Sequence, residues 1–306
     1  MSRSISSSTY KAGILFALLG AVGFSFKAIL VKLVYRYGVD AETVLGMRMA
    51  LALPCYLLLG LFARQGQRGA MSGRDWLWMI WLGFTGYYLS SYLDFLGLNH
   101  ISAGLERLIL FLYPTMVIVI SALFLKKPLT AKTVAALALC YAGIALAVGH
   151  DFSVSGEAGH EVLLGSALVF AGAIAYALYL IGNGMVVGRL GALRVTAWAS
   201  SFACLFSVAQ FLALRPVDLL YQQPWQVWAI ILVMVAVSTV APVWMVSEAI
   251  RRIGAGPVSM TSTMGPVITI ALGWMILDEP FGWNQFWGAV LVIGGVWVVS
   301  RQKKRG

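Results

Sequence analysis

Ten apolar stretches alternate with short polar ones along the chain, near residues 11–33, 42–63, 75–98, 102–125, 130–149, 162–185, 192–213, 225–249, 256–277 and 282–300. Each approaches the roughly 20 residues that an α-helix needs to cross about 30 Å of hydrocarbon. The pattern predicts an all-α integral membrane protein with ten transmembrane helices. The longest connections, around Gln65–Arg74 and His150–Glu161, are rich in Gly, Ser and charge, as loops are, and neither can hold a soluble domain. The first stretch is too long for a signal peptide, carries Lys27 inside it and lacks a small-residue cleavage pattern, so it is expected to be retained as the first helix.

Composition agrees with the pattern: 60% of the 306 residues are hydrophobic and 11% charged, against about a quarter charged in soluble domains. Too little charge remains to coat a water-exposed surface, and lipid is the solvent the chain is built for. The net charge of +10 changes meaning once its residues are placed. With a cytoplasmic N-terminus, 16 of the 22 Lys and Arg residues fall on the cytoplasmic side, only Lys32, Arg36 and Arg215 fall outside, and Lys27, Arg48 and Arg107 lie within helices. By the positive-inside rule both termini are expected to be cytoplasmic. The outer loops hold much of the acid, including Asp40, Glu42, Asp151, Glu161, Asp218, Asp278 and Glu279. The basic excess therefore sets topology and meets anionic lipid, and no nucleic-acid partner is expected. Cys55, Cys140 and Cys204 each sit mid-helix, a distribution that suits packing and implies no disulfide framework, metal or cofactor.

The chain also matches itself at an offset of 152 residues. Gly13, Gly20, Ala21 and Ile29 meet Gly165, Gly172, Ala173 and Ile181; Ile101, Ala103, Gly104, Pro114, Ile118, Leu125, Pro128, Leu139 and Gly143 meet Ile253, Ala255, Gly256, Pro266, Ile270, Leu277, Pro280, Leu291 and Gly295. Coincident Gly and Pro residues at a fixed offset mark a duplication, with repeats over 1–150 and 151–306. Five helices per repeat make the second enter the membrane from the opposite side. Matching positions should then exchange charge, and they do: Lys126-Lys127 corresponds to Asp278-Glu279, and Asn99-His100 to Arg251-Arg252.

The paired patterns Ala103-Gly104…Pro114…Leu125-Lys126-Lys127-Pro128-Leu129-Thr130…Gly143 and Ala255-Gly256…Pro266…Leu277-Asp278-Glu279-Pro280…Gly295 resemble the EamA repeat of the drug/metabolite transporter superfamily. The resemblance spans nearly the whole chain in two copies. It implies a ten-helix secondary transporter whose two inverted five-helix repeats surround a central cavity. Within the superfamily the chain is similar to exporters of aromatic amino acids, which implies amino acids as substrates. Lys127 departs from the Glu common at that position.

Candidate substrate-handling residues follow from helical spacing. Tyr87, Ser91 and Asp94 share one face of the third helix, with Tyr88 and Tyr92 on the adjoining face. Tyr176, Tyr179 and Asn183 align on the sixth helix, Ser238, Met245 and Glu248 on the eighth, and Ser259, Ser262 and Pro266 on the ninth. Tyr113 and Trp244 are further wall candidates. Hydroxyls facing lipid are costly, so these stripes should look inward, either bonding helix to helix or lining a polar, aromatic-walled cavity. Such walls suit amphipathic zwitterions or cations, through ring stacking and cation–π contact. Pro114, Pro266 and Pro242 are expected to kink their helices and act as hinges. Lys27 is the deepest charge and can reach Asp94. Arg48, Glu106, Arg107 and Glu248 are expected near the interfaces, snorkelling or in structural ion pairs.

Competing classes lack their motifs. No Gly-Lys dipeptide occurs, so no Walker A loop exists to drive ATP-powered pumping. His100, His150 and His160 all fall in loops, and there is no HExxH pair, which argues against an intramembrane enzyme. A non-transporting scaffold or an exporter of drug-like cations stays open as an alternative. With no acid standing centrally in the bilayer, facilitated diffusion is expected over obligate proton antiport. The sequence carries no oligomer signal, and a monomer suffices to form a cavity.

Overall fold

A computed structural model describes residues 7–65, 71–125, 129–156, 159–254, 257–258, 261 and 263–302, and no strand occurs among them. The first half contains α1 (Ser7–Tyr35), α2 (Ala41–Gln65), α3 (Gly73–Leu82), a π-helical segment π1 (Gly83–Leu89), α4 (Ser90–Leu98), α5 (Ala103–Leu110), α6 (Tyr113–Leu125) and α7 (Ala131–Ser155). The second contains α8 (Gly159–Leu190), α9 (Ala192–Leu214), the short α10 (Asp218–Gln222), α11 (Trp225–Val233), π2 (Met234–Val240), α12 (Ala241–Ile253), α13 (Gly265–Leu277) and α14 (Trp283–Gln302). Seven described helical runs are long and apolar enough to cross a membrane: Tyr10–Tyr35, Ala41–Ala63, Ala103–Phe124, Ala131–Ser155, Gly159–Leu190, Ala192–Leu214 and Trp225–Ile253. Gly265–Leu277 is apolar but shorter. The protein is an all-helical, multi-pass membrane protein.

Helix boundaries have local causes. Ser72 and Asp75 form a reciprocal capping box at the start of α3. The Ser102 side chain accepts the Leu105 amide at the start of α5, and Thr130 accepts the Thr133 amide ahead of α7. α13 ends on Asp278, whose left-handed φ of 59° suits Asp better than most side chains.

The prolines work differently from simple kinks. Pro114 has no N–H to give the Leu110 carbonyl, and α5 ends at Leu110. The chain crosses the gap with short-range bonds, Leu112 N to Ile109 O (3.0 Å) and Thr115 N to Leu112 O (2.9 Å), before α6 sets off. The duplicate position repeats this: Met264 N bonds Thr261 O at 3.1 Å, and Gly265-Pro266 starts α13. Pro242 likewise sits in the first turn of α12, directly after π2. All three occupy first-turn positions, where a missing amide costs little. They open half-helices instead of bending whole ones. π1 and π2 occupy almost equivalent places in the two halves, and such segments often mark functional positions.

Packing pairs α2 with α9, α7 with α14, α1 with α12 and α13, and α8 with α4 and α6. Small residues bring backbones together in these seams. A Cβ added at Gly143 or at Gly288 would lie 2.6 Å from the other's carbonyl oxygen, and Cys140 Sγ reaches Val292 O at 3.7 Å. One buried cluster, including Val31, Val44, Leu45, Phe95 and Ile231, ties α1 and α2 to α4 and α11. Another, including Leu105, Leu112, Cys140, Val169 and Val292, ties α5 and α7 to α8 and α14.

Candidate functional site

Two groups of polar side chains occupy the interior between the halves. In the first, Lys27 of α1 places Nζ 2.6 Å from Asp94 Oδ2 of α4 and 3.4 Å from Glu106 Oε1 of α5. The pairing of Lys27 with Asp94 expected from spacing is present. Lys27 is 16% exposed, Asp94 1% and Glu106 0%. Asp94 Oδ1 and both Glu106 oxygens lack a hydrogen-bond partner. A buried pair repays its desolvation only with full hydrogen bonding, so this cluster is a charged site with unused capacity.

Glu106 and Arg48, expected near the interfaces in ion pairs or snorkelling, are both buried within the bundle, and Glu106 is in an ion pair. Glu106 lies in the first turn of α5, which is roofed by side chains of other elements. Glu279 Oε1 accepts the Ala103 amide at 2.7 Å, Glu279 Oε2 the Gly104 amide at 3.4 Å, and Asp151 Oδ2 the Ser102 amide at 3.1 Å. The start of this helix is therefore covered by Asp151 of α7 and by Glu279. Arg48 is 7% exposed, with its guanidinium 5.2 Å over the Phe95 ring. Glu248 does behave as expected, accepting from Arg251 and Arg252 at the other end of the bundle.

The second group is a ladder of tyrosines. The Tyr87 and Tyr179 hydroxyls lie 3.0 Å apart, Tyr179 stacks on Tyr176 with centroids at 5.5 Å, and Tyr176 meets Tyr113 edge-on at 5.3 Å. The ladder runs from π1 through α8 to the first residue of α6, so it crosses from one repeat to the other. Gly86 makes room for it, since any Cβ there would run into the Tyr179 ring. Arg107 connects the two groups: it is within electrostatic reach of Glu106, Tyr113 and Tyr176. Its Nη2 stands 3.1 Å from where a Gly265 Cβ would be, at the first residue of α13, and its Nε is buried without a partner.

The other candidates fall elsewhere. Tyr88 and Tyr92 stack on each other with centroids at 6.3 Å, and Tyr92 donates to Glu42 at 3.1 Å, which draws both towards α2 and α9. Ser238 turns its hydroxyl back to Met234 O at 2.8 Å, where Thr239 also donates. Its proton serves the widened π2 turn, and only its acceptor capacity remains. Trp244 is 59% exposed and meets Phe16 edge-on, away from both groups, and Met245 lies against Gly20 of α1. Asn183 keeps a buried Oδ1 without a partner, and Ser91 is half-buried. Ser259 and Ser262 lie outside the described residues, as do Lys126-Lys127 and Ala255-Gly256. Sequence reasoning gave Glu106 an interfacial or ion-pairing role only, yet the duplication carries a further signal: the matching residue is Val258, so one copy holds a charge where the other is apolar.

At the end of the bundle that carries Glu279, ion pairs tie the halves together. Lys32 Nζ stands 3.4 Å from Glu279 Oε1, Arg36 donates to Leu277 O at 2.9 Å, and Arg215 lies 3.4 Å from Asp40 and 3.3 Å from Glu42. Asp40 is held below the usual carboxylate range: burial opposes this, but hydrogen bonds from the Thr43 amide and hydroxyl and the nearby Arg215 outweigh it. At the opposite end Arg189 pairs with Asp75.

Comparison with known proteins places this architecture. The model of the EamA-like transporter family matches residues 11–149 and again 163–301. The uncharacterized transporter YcbK of Bacillus subtilis (strain 168) is 30% identical over 291 residues, covering 94% of this chain and 91% of that one. The uncharacterized transporter YetK of the same organism is 24% identical over 261 residues, covering 85% and 78%. A solved crystal structure aligns with a TM-score of 0.61 at 16% identity, over 96% of this chain and 98% of the other, a likeness of fold. With its family pattern present twice, this chain belongs to the EamA-like transporter family and is a membrane transporter that meets a lipid bilayer and a small-molecule substrate.

Proposed function

We propose that this protein is a secondary transporter that exports small amphipathic metabolites, amino acids with aromatic side chains among them, across a bacterial inner membrane. Its two repeats, 1–150 and 151–306, each contribute five membrane-crossing helices in inverted topology, with both termini cytoplasmic. They alternate access to a site between them. The observations that carry this reading are the buried Lys27–Asp94–Glu106 cluster and the Tyr87–Tyr179–Tyr176–Tyr113 ladder. Charge of both signs beside aromatic faces suits a zwitterion with a ring. Breaks at equivalent positions in both repeats, at Leu112 and Met264, supply places where half-helices can swing.

Phosphorylated substrates fit poorly, because they need several converging cations. Export of drug-like organic cations is the second reading, favoured by two carboxylates facing one lysine. Counterflow in proteoliposomes with labelled amino acids and a labelled organic cation tests both, run with and without a pH gradient. Accumulation of L-phenylalanine supports the first reading; accumulation of the cation alone supports the second. Absence of flux for every solute points to a non-transporting scaffold.

A further inference from the structure

Among the described residues Glu106 is a buried acid that is incompletely satisfied. It is wholly buried, neither oxygen has a hydrogen-bond partner, and Lys27, the cation within ion-pair distance, is shared with Asp94. Lys27 Nζ stands 0.8 Å closer to Asp94 (2.6 Å) than to Glu106 (3.4 Å), so the lysine serves Asp94 first. The other charges facing the pair do not complete it. Arg107 follows Glu106 on the same helix with its Nε unpaired, and Arg48 of α2 faces the Phe95 ring. Tyr35 spends its hydroxyl on Phe95 O at 2.7 Å, and Tyr113 and Tyr176 present rings to each other.

These unpartnered carboxylate oxygens suit a particular kind of cation. Among the described residues no group of three His, Cys, Asp or Glu side chains could hold a metal ion. Hard cations take six or more oxygens, far beyond two carboxylates with an ammonium between them. An ammonium group already sits here, contributed by Lys27, and it shows that the geometry accepts one. We propose that Glu106 receives the amino group of the substrate, and that Lys27 stands in for it while the transporter is empty. This rests on the transport reading above and narrows its substrates to amines, whether zwitterionic or cationic. On binding, the substrate ammonium takes the free oxygens of Glu106, and Lys27 falls back on Asp94. Each carboxylate then faces an ammonium of its own.

Three phenyl probes separate the charges: phenethylamine carries only the ammonium, 3-phenylpropanoate only the carboxylate, and L-phenylalanine both. Binding is read as ligand-induced thermal stabilisation of the full-length protein in detergent, and flux is read separately in proteoliposomes. The two amines should stabilise the protein more than 3-phenylpropanoate does. Glu106→Gln should weaken phenethylamine binding about tenfold, the loss of one charge-assisted contact. Lys27→Met should instead lower the half-saturating phenethylamine concentration, because the built-in competitor is gone. That fall is not expected of a merely structural Glu106, and it keeps the test decisive where Glu106→Gln does not fold. Stabilisation by 3-phenylpropanoate equal to that by phenethylamine overturns the assignment, as does unchanged phenethylamine binding in Glu106→Gln. Glu106-dependent binding without flux of any probe upholds the site and removes the transport reading. Flux of all three probes that Glu106→Gln leaves untouched does the reverse.

Discussion

Replacing Glu279 should loosen one end of the transporter. This carboxylate belongs to the second repeat but accepts the Ala103 amide at 2.7 Å and the Gly104 amide at 3.4 Å, both at the start of α5 in the first repeat. It also faces Lys32 Nζ at 3.4 Å. The short bond to Ala103 is charge-assisted and sits at a helix N-terminus, worth about 1.5–3 kcal/mol. The longer contact adds little, and the partly exposed Lys32 pair contributes under about 1 kcal/mol. Glu279→Ala thus removes about 2–3 kcal/mol of attachment between the repeats, which shifts the balance between closed and open states at this end by about 30- to 150-fold. Ala28, buried in a cluster with Leu98, Ala103 and Leu277, reports on opening when changed to Cys. Cys55, the exposed native thiol, is first changed to Ser; Cys140 and Cys204 are buried. Maleimide should label Ala28→Cys slowly in the parent and at least tenfold faster with Glu279→Ala, while Glu279→Gln, which keeps an acceptor, falls between them. Labelling within about twofold of the parent in Glu279→Ala refutes the latch.

Arg107→Leu should weaken L-phenylalanine binding while leaving phenethylamine binding nearly unchanged, since a carboxylate is a natural partner for a guanidinium beside α13 whose Nε has no partner; competition between the two probes measures this. Gly86→Ala pushes a methyl group into the Tyr179 ring, and overpacking of this kind costs about 1–3 kcal/mol, visible as a lowered unfolding temperature and slowed flux. Asp40→Asn should lower thermal stability at neutral pH, because the folded state holds this carboxylate ionised through Thr43 and Arg215. As its folded-state value is depressed, that contribution is fully present above the unfolded value of about 3.9. The difference between the two proteins should fade as pH falls through the lower folded-state value.

What the sequence made legible was whatever repeats. Hydrophobic runs give helices because a membrane tolerates little else, and a duplicated Pro or Gly shows as a coincidence at 152 residues. The Lys27–Asp94 pair was within reach because both residues are single charges in apolar runs. The tyrosine ladder was half visible: spacing puts Tyr176 with Tyr179, but only the fold brings Tyr87 and Tyr113 to them. Glu106 was hidden by its place at the start of an apolar run, where a charge normally meets water. Its burial comes from Glu279 and Asp151 closing over α5, contacts 176 and 49 residues away in the chain that no local pattern reports. The two π segments were hidden too, because nothing in Met234–Val240 or Gly83–Leu89 distinguishes a widened turn from an ordinary one.

The division between what repeats and what does not carries a mechanical meaning. The broken fourth helix, the π segment and the glycine seams occur in both halves, as parts that must move in opposite senses on the two sides of a membrane would. The chemistry occurs once. Lys27, Asp94 and Glu106 match Tyr179, Val246 and Val258 in the second repeat, so the charged cluster has no counterpart there, and the residue equivalent to Lys27 is a rung of the tyrosine ladder. On the proposed reading a substrate's ammonium meets the first repeat alone, while its ring meets a ladder drawn from both, Tyr87 and Tyr113 from the first and Tyr176 and Tyr179 from the second. Rocking of two mechanically similar halves would pull on the ring from both sides. A solute with only an ammonium engages the first half alone, and cannot link the movement of the two repeats as well as an aromatic amine does.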